Sequence, residues 1–302
     1  MHRKGTRRWQ RTDRRSYLAL AATTVAGTIG APEPAVAAST EEYETVTVPA
    51  GEREIVRVND GETFERVLFD VTADGAAVTI VAYGTDWTIR NVAVRGQVDM
   101  GDETVIGAAD TGGGTSRIEN VWLGDGAVYE EKGGTGIWVR PDHDGHLEID
   151  RVNVQNMGDN AFYCSAPGAG GGGTVALRNC YAANCWISHC RLAWGIVDNC
   201  VAAVTDDRQY RQGRGVWAWP PGPVLVRDCQ FAMNGEHYSF VPGANDTGSD
   251  IYVDDTQWDD DFHGGWTDHH GGTVSFGKNT GTDPQDVVPD GCPTSVAAAL
   301  EP

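Results

Sequence analysis

The residues that could do chemistry are of two kinds, polar turns and outward aromatics. Three turns carry acids: Gly158-Asp159-Asn160, the run from Asp206 to Arg214, and Asn234-Gly235-Glu236-His237. Asp159, Asp207 and Glu236 are the candidate catalytic carboxyls. Arg211 and Arg214 are the candidate catalytic cations, with Arg208 beside them. Two reactions fit this set. Inverting hydrolysis of a glycosidic bond needs an acid and a base carboxyl roughly 6.5–9.5 Å apart. Elimination on a uronate needs its carboxylate neutralised, by Arg or Ca²⁺, and a base that takes the C5 proton. In short alternating strands nearby, Trp138, Tyr163 and Trp217 occupy equivalent outward places, with Trp219 and Trp186 close to them. Rows of exposed aromatics are what flat sugar faces stack on, so Trp138, Arg140, Tyr163, Trp217 and Trp219 are the candidate substrate-binding residues. His143 is a spare candidate. A plain turn-forming role for Asp159, and surface salt bridges for the arginines, are the competing readings.

These side chains are far apart in sequence, so only a fold that stacks distant segments could join them. A six-residue phrase supplies it: Ile89-Arg90-Asn91-Val92-Ala93-Val94, Ile118 to Leu123, Ile149 to Val154, Leu177 to Ala182, Val197 to Ala202 and Val226 to Phe231, with weaker copies at Phe64 and Val253. Its third residue falls at 66, 91, 120, 151, 179, 199, 228 and 255. The first and sixth positions are apolar in every copy, and the third is usually Asn or Asp, which bonds backbone locally and can stack on its neighbour. A period of 20–31 residues with strands and no helical periodicity predicts a solenoid. A β-sandwich, the main competitor, gives no reason for one phrase to return eight times.

In this rung pattern with Asn corners, residues 45–280 resemble the right-handed parallel β-helix (pectate-lyase-like) superfamily. The resemblance implies an all-β, single-stranded right-handed parallel β-helix of about eight to nine coils. It implies little about activity, because the superfamily holds lyases, hydrolases, epimerases and adhesins. Gly158-Asp159-Asn160 resembles the Gly-Asp-Asp turn of polygalacturonase-type hydrolases, with Asn160 in place of the second acid. The arginine cluster is similar to that of lyases using Arg as base, without their proline-containing pattern.

Seven cysteines invite a disulfide reading. Yet Cys180, Cys200 and Cys229 share the repeat position of Val92, Val121 and Val152, so a free interior stack is favoured, with a Cys180–Cys200 bond the alternative. Cys180, Cys185, Cys190 and His189 lack standard zinc spacing. Asp250 to His270 is the most acidic stretch. Clustered carboxylates suit Ca²⁺, the one candidate cofactor, but the spacing matches no EF-hand, and a solvated acidic face explains it as well.

Residues 1–38 read as a twin-arginine-type export signal: seven bases, Arg14-Arg15 among them, an apolar run from Tyr17 to about Gly30, then Ala35-Val36-Ala37. The run is too short to span a bilayer. The remaining chain has 16 bases against 41 acids, a net of −25, and only Lys132 and Lys278 as lysines. Such a surface resembles halophile proteins, screened at high salt, and argues against nucleic-acid partners and against membrane association after signal cleavage. Residues 39–280 form the expected β-helix domain and 281–302 a cap or flexible tail. The expectation is a secreted or cell-surface protein acting on a polysaccharide, lyase- or hydrolase-like on an acidic glycan. The alternative is a non-catalytic binding or adhesion β-helix.

Overall fold

Every corner residue of the repeated phrase is left-handed. The φ angle is +62° at Arg66, +53° at Asn91, +51° at Asn120, +52° at Arg151, +52° at Asn179, +49° at Asn199, +52° at Asp228 and +46° at Asp255. Asn and Asp tolerate this conformation because their short side chains bond locally, which explains the preference at that position. The asparagines also bond along the stack. Asn120 Nδ2 donates to Asn91 Oδ1 at 2.9 Å, and Asn199 Nδ2 donates to Asn179 Oδ1 at 2.8 Å.

The computed structural model describes residues 43–128, 132–206 and 212–301. The signal expected over 1–38, and the candidates Asp207, Arg208 and Arg211, lie outside the described residues. Strands on both sides of each corner belong to one parallel sheet of fourteen strands, and the strands upstream of the phrases build a second parallel sheet of eight. The chain is an all-β solenoid of about eight turns. In the first sheet the phrases lie in register: Phe64 opposite Ile89, then Ile118, Ile149, Leu177, Val197, Val226 and Val253. The second sheet stacks Arg53–Val58, Ala77–Gly84, Thr104–Asp110, Thr135–Val139, Asn160–Cys164, Ser188–Leu192, Arg214–Ala218 and Phe240–Pro242. One further coil, Val274–Phe276, extends the first sheet, and Asn279 Nδ2 donates to Asp255 Oδ1 there at 2.6 Å.

Alternation sends every second side chain inward. A single apolar column results, running from Val48 to Val253, in which Ile89, Ile118, Ile149, Phe162 and Val216 are fully buried. All seven cysteines are free and buried. Cys180, Cys200 and Cys229 stack inside, as the sequence favoured. Cys180 N–H donates to Cys200 Sγ, and Cys200 N–H to Cys229 Sγ, both at 3.4 Å. These sulfurs accept from the amides that follow the corners, which a valine side chain cannot do. Burial pushes the Cys164, Cys185 and Cys190 thiols up, so they stay protonated and inert at neutral pH.

The chain ends along the outside of the first sheet, travelling back over earlier coils. Gln285 N–H reaches Gln230 Oε1, Asp286 accepts from Tyr181, Pro293 O from Asn153, and Ala299 O from Asn120. Cys292 packs on Tyr181, Ala183 and Val201, and the short helix Val296–Leu300 covers Leu68 and Ala93. The outer face of the second sheet carries no such strap among the described residues.

Candidate functional site

Outward positions of the second sheet line up one above another. Trp138 lies opposite Tyr163, Tyr163 opposite Arg191, and Arg191 opposite Trp217. Adjacent coils are about 4.8 Å apart, so these side chains form one continuous row. Trp138, Tyr163, Trp217 and Trp219 are all half-buried, each with part of its ring in solvent. Trp217 Nε1 donates to Gly243 O at 2.9 Å, which fixes its plane, and Trp219 packs against it with centroids 5.2 Å apart.

Arg191 is the centre of the row, and the sequence reading passed over it. Its guanidinium carbon lies 3.8 Å from the Tyr163 ring centroid, 3.9 Å from Trp219 and 4.6 Å from Trp217. Nε donates to Ser165 Oγ at 2.8 Å. Arg214 also lies on Trp217, at 3.9 Å, while its Nη1 donates to Gln212 Oε1 at 2.9 Å and its Nε has no partner. Both arginines are 8 % exposed, and among the described residues neither has a carboxylate oxygen within 4 Å. Burial pushes each guanidinium down to about 10, and for Arg214 the charge of Arg191 adds to the effect. Both remain cationic at neutral pH. Cations stacked on aromatic faces in a water-poor site interact more strongly than at an exposed one.

Buried groups hold this pair from behind. His189 is fully buried; its Nε2 accepts from Cys185 N–H at 3.3 Å and its Nδ1–H donates to Arg214 O at 2.9 Å. Those two partners fix the neutral tautomer, and burial pushes the ring's pKa down to about 4. His237, stacked on Phe262 at 5.1 Å, is also held at about 4, by burial and then by the charge of Arg214.

Asp159 is 5 % exposed at the base of the same strand as Tyr163. Its Oδ2 meets Lys132 Nζ at 3.3 Å, and its Oδ1 accepts from Asn160 Nδ2 at 2.6 Å; Asn160 Oδ1 in turn accepts from Ser188 Oγ at 2.5 Å. Burial raises its pKa, while Lys132 and then Arg191 pull it down. Asn160 therefore supports the carboxylate of Asp159 through its amide.

The other candidates go elsewhere. Glu236 is exposed, and among the described residues its hydrogen bond is that of its own N–H to Met233 O. Arg140 leans away from Trp138, its guanidinium 4.3 Å above the Tyr83 ring and paired with Asp142 at 2.7 Å. His143 is fully buried, its Nδ1 accepting from Asp110 N–H and its Nε2–H donating to Thr174 O, so it holds a turn together. The only carboxylate cluster among the described residues able to hold a cation is Asp259, Asp260 and Asp261. Asp259 already accepts from Gly235 N–H and Asp261 N–H.

Arg191 was findable. Ser188-His189-Cys190-Arg191-Leu192 alternates like its neighbours, but the coil is only 20 residues long, and its Cys and His suggest an interior role before an outward strand. Lys132 gave no signal, because nothing local ties it to Asp159. No protein-family model, no curated protein and no solved structure matches this chain.

Proposed function

We propose that this protein is an exported, polysaccharide-engaging β-helix that binds an acidic glycan along the outer face of its second sheet. In this reading sugar rings stack on Trp138, Tyr163 and Trp217, and acid groups meet Arg191 and Arg214. One observation carries it: two arginines more than nine-tenths buried among aromatic rings, with no carboxylate partner among the described residues, in a chain of strongly negative charge. Such cations are costly to bury unless an anion completes them. The N-terminal signal, the acidic halophile-like surface and the pectate-lyase-like resemblance agree with an extracellular role.

Cleavage by elimination is the second reading, favoured by Asp159. Arg191 and Arg214 would neutralise the uronate carboxylate, which acidifies the adjacent C5 proton. A buried carboxylate is a stronger base than an exposed one and would take that proton, the electrons forming the C4–C5 double bond as the C4–O bond breaks and the departing oxygen takes a proton from solvent. Hydrolysis has less support, since Glu236 is exposed where Asp159 is buried, and Asp207 lies outside the described residues. Ca²⁺ would have to use the Asp259–Asp261 cluster or the glycan itself.

The test titrates the mature protein, in high salt with and without Ca²⁺, with polyuronates and neutral glycans. Polyuronates bind, and Arg191→Ala weakens them at least tenfold, about 1.4 kcal/mol. Arg191→Lys does not rescue, because an ammonium cannot lie flat between rings. Absorbance at about 235 nm reports elimination and is lost in Asp159→Asn. Equal binding of neutral glycans, or none of either class, would sink the proposal.

A further inference from the structure

The outward row does not stop at Trp138. Register carries it on through Gly107 and Val81 to Arg57 on an early coil. Between them Gly107 and Ala109 are small and buried, and the Tyr83 ring, with the Arg140 guanidinium stacked on it, packs into the space they leave. At the far end Arg57, Asn59, Asp60, Val81 and Tyr83 line an open recess of about 330 Å³. Asp60 already accepts from Thr85 N–H, and Asn59 Nδ2 gives one of its two hydrogens to Glu62, so among the described residues the donors left for a ligand are Arg57, the Tyr83 phenol and the second Asn59 N–H. Arg57 is exposed, with no carboxylate oxygen within 4 Å among the described residues. Burial pushes the Tyr83 phenol above its ordinary range, keeping it a donor. Gly107 makes room for it: a Cβ there would lie 2.3 Å from Tyr83 Oη.

We propose that this recess is a second anchoring site for the same glycan, so that the protein grips one chain at two points and selects for length. The proposal rests on the reading of the groove given above. Six coil steps separate Arg57 from Trp217, a distance of about 29 Å, or about six pyranose units. A glycan long enough to reach both ends gains the second contact intramolecularly, at high effective concentration; a shorter one engages only the Arg191 end.

The experiment titrates the mature protein with oligouronates of three and of eight sugars. The eight-sugar chain binds at least tenfold more tightly. Arg57→Glu, a change at an exposed side chain, removes that advantage and leaves the three-sugar affinity unchanged; Gly107→Val, whose Cβ would meet Tyr83 Oη at 2.3 Å and so displace the phenol, does the same. Equal affinity for both lengths, or an advantage that survives Arg57→Glu, overturns the two-point grip while leaving the Arg191 site standing. If neither length binds, the groove reading and this inference fall together.

Discussion

His189 shows how one interior side chain sets the conditions under which the candidate site exists. It is neutral because both ring nitrogens are committed, one to Cys185 N–H and one to Arg214 O. Its folded pKa of about 4 lies below the unfolded value near 6.5, so the unfolded chain binds its proton first as acid is added. The stability associated with this ring is therefore complete above pH 6.5 and drains as pH falls toward 4, by roughly 3 kcal/mol. Asp159 works the other way, since its raised pKa favours the folded state on acidification. Urea midpoints taken at pH 7 and pH 4.5 should show a net loss that shrinks in His189→Gln, and an equal loss in that variant would mean that His189 is not held neutral.

At the scale of the element, the corner is the unit that makes a coil. A left-handed residue turns the strand, and its side-chain amide passes a hydrogen bond to the next coil. Asn199 does both, with φ of +49° and a bond to Asn179. Asn199→Val forces a β-branched residue into that conformation and removes the bond, and should cost about 2–3 kcal/mol in chemical denaturation. Asn199→Gly keeps the turn and loses only the bond, at about 1 kcal/mol. Equal effects of the two variants would show that backbone conformation is not what the asparagine supplies. Arg151 occupies the same corner and pairs with Asp150, with no side-chain hydrogen bond to the next coil among the described residues, so asparagine is preferred there without being required.

For the whole molecule, the asymmetry between the two outer faces matters most. The strap 285–301 covers Leu68, Ala93, Tyr181 and Val201 on the first sheet, while the outward aromatics Trp138, Tyr163 and Trp217 of the second keep part of their surface in solvent. Removing residues 285–302 should lower Tm by on the order of 10 °C and expose dye-binding apolar surface, because those side chains lose their cover. Glycan binding by the folded fraction should be unchanged, since the groove is on the other sheet. An unaltered Tm would mean the strap contributes nothing to the column.

Sequence alone determined the column. Corners are set by local conformational preference, inward positions by alternation, and both recur at a spacing that fixes register, so Ile89, Ile118 and Ile149 could be aligned without coordinates. The outward tips were different. Whether Arg140 leans on Tyr83 or on Trp138, whether Lys132 meets Asp159, and that Arg191 fills the space between Tyr163 and Trp217 depend on rotamers and on contacts between coils. A strand pattern says which face a side chain leaves from; only packing against the coils above and below decides where its charged end comes to rest.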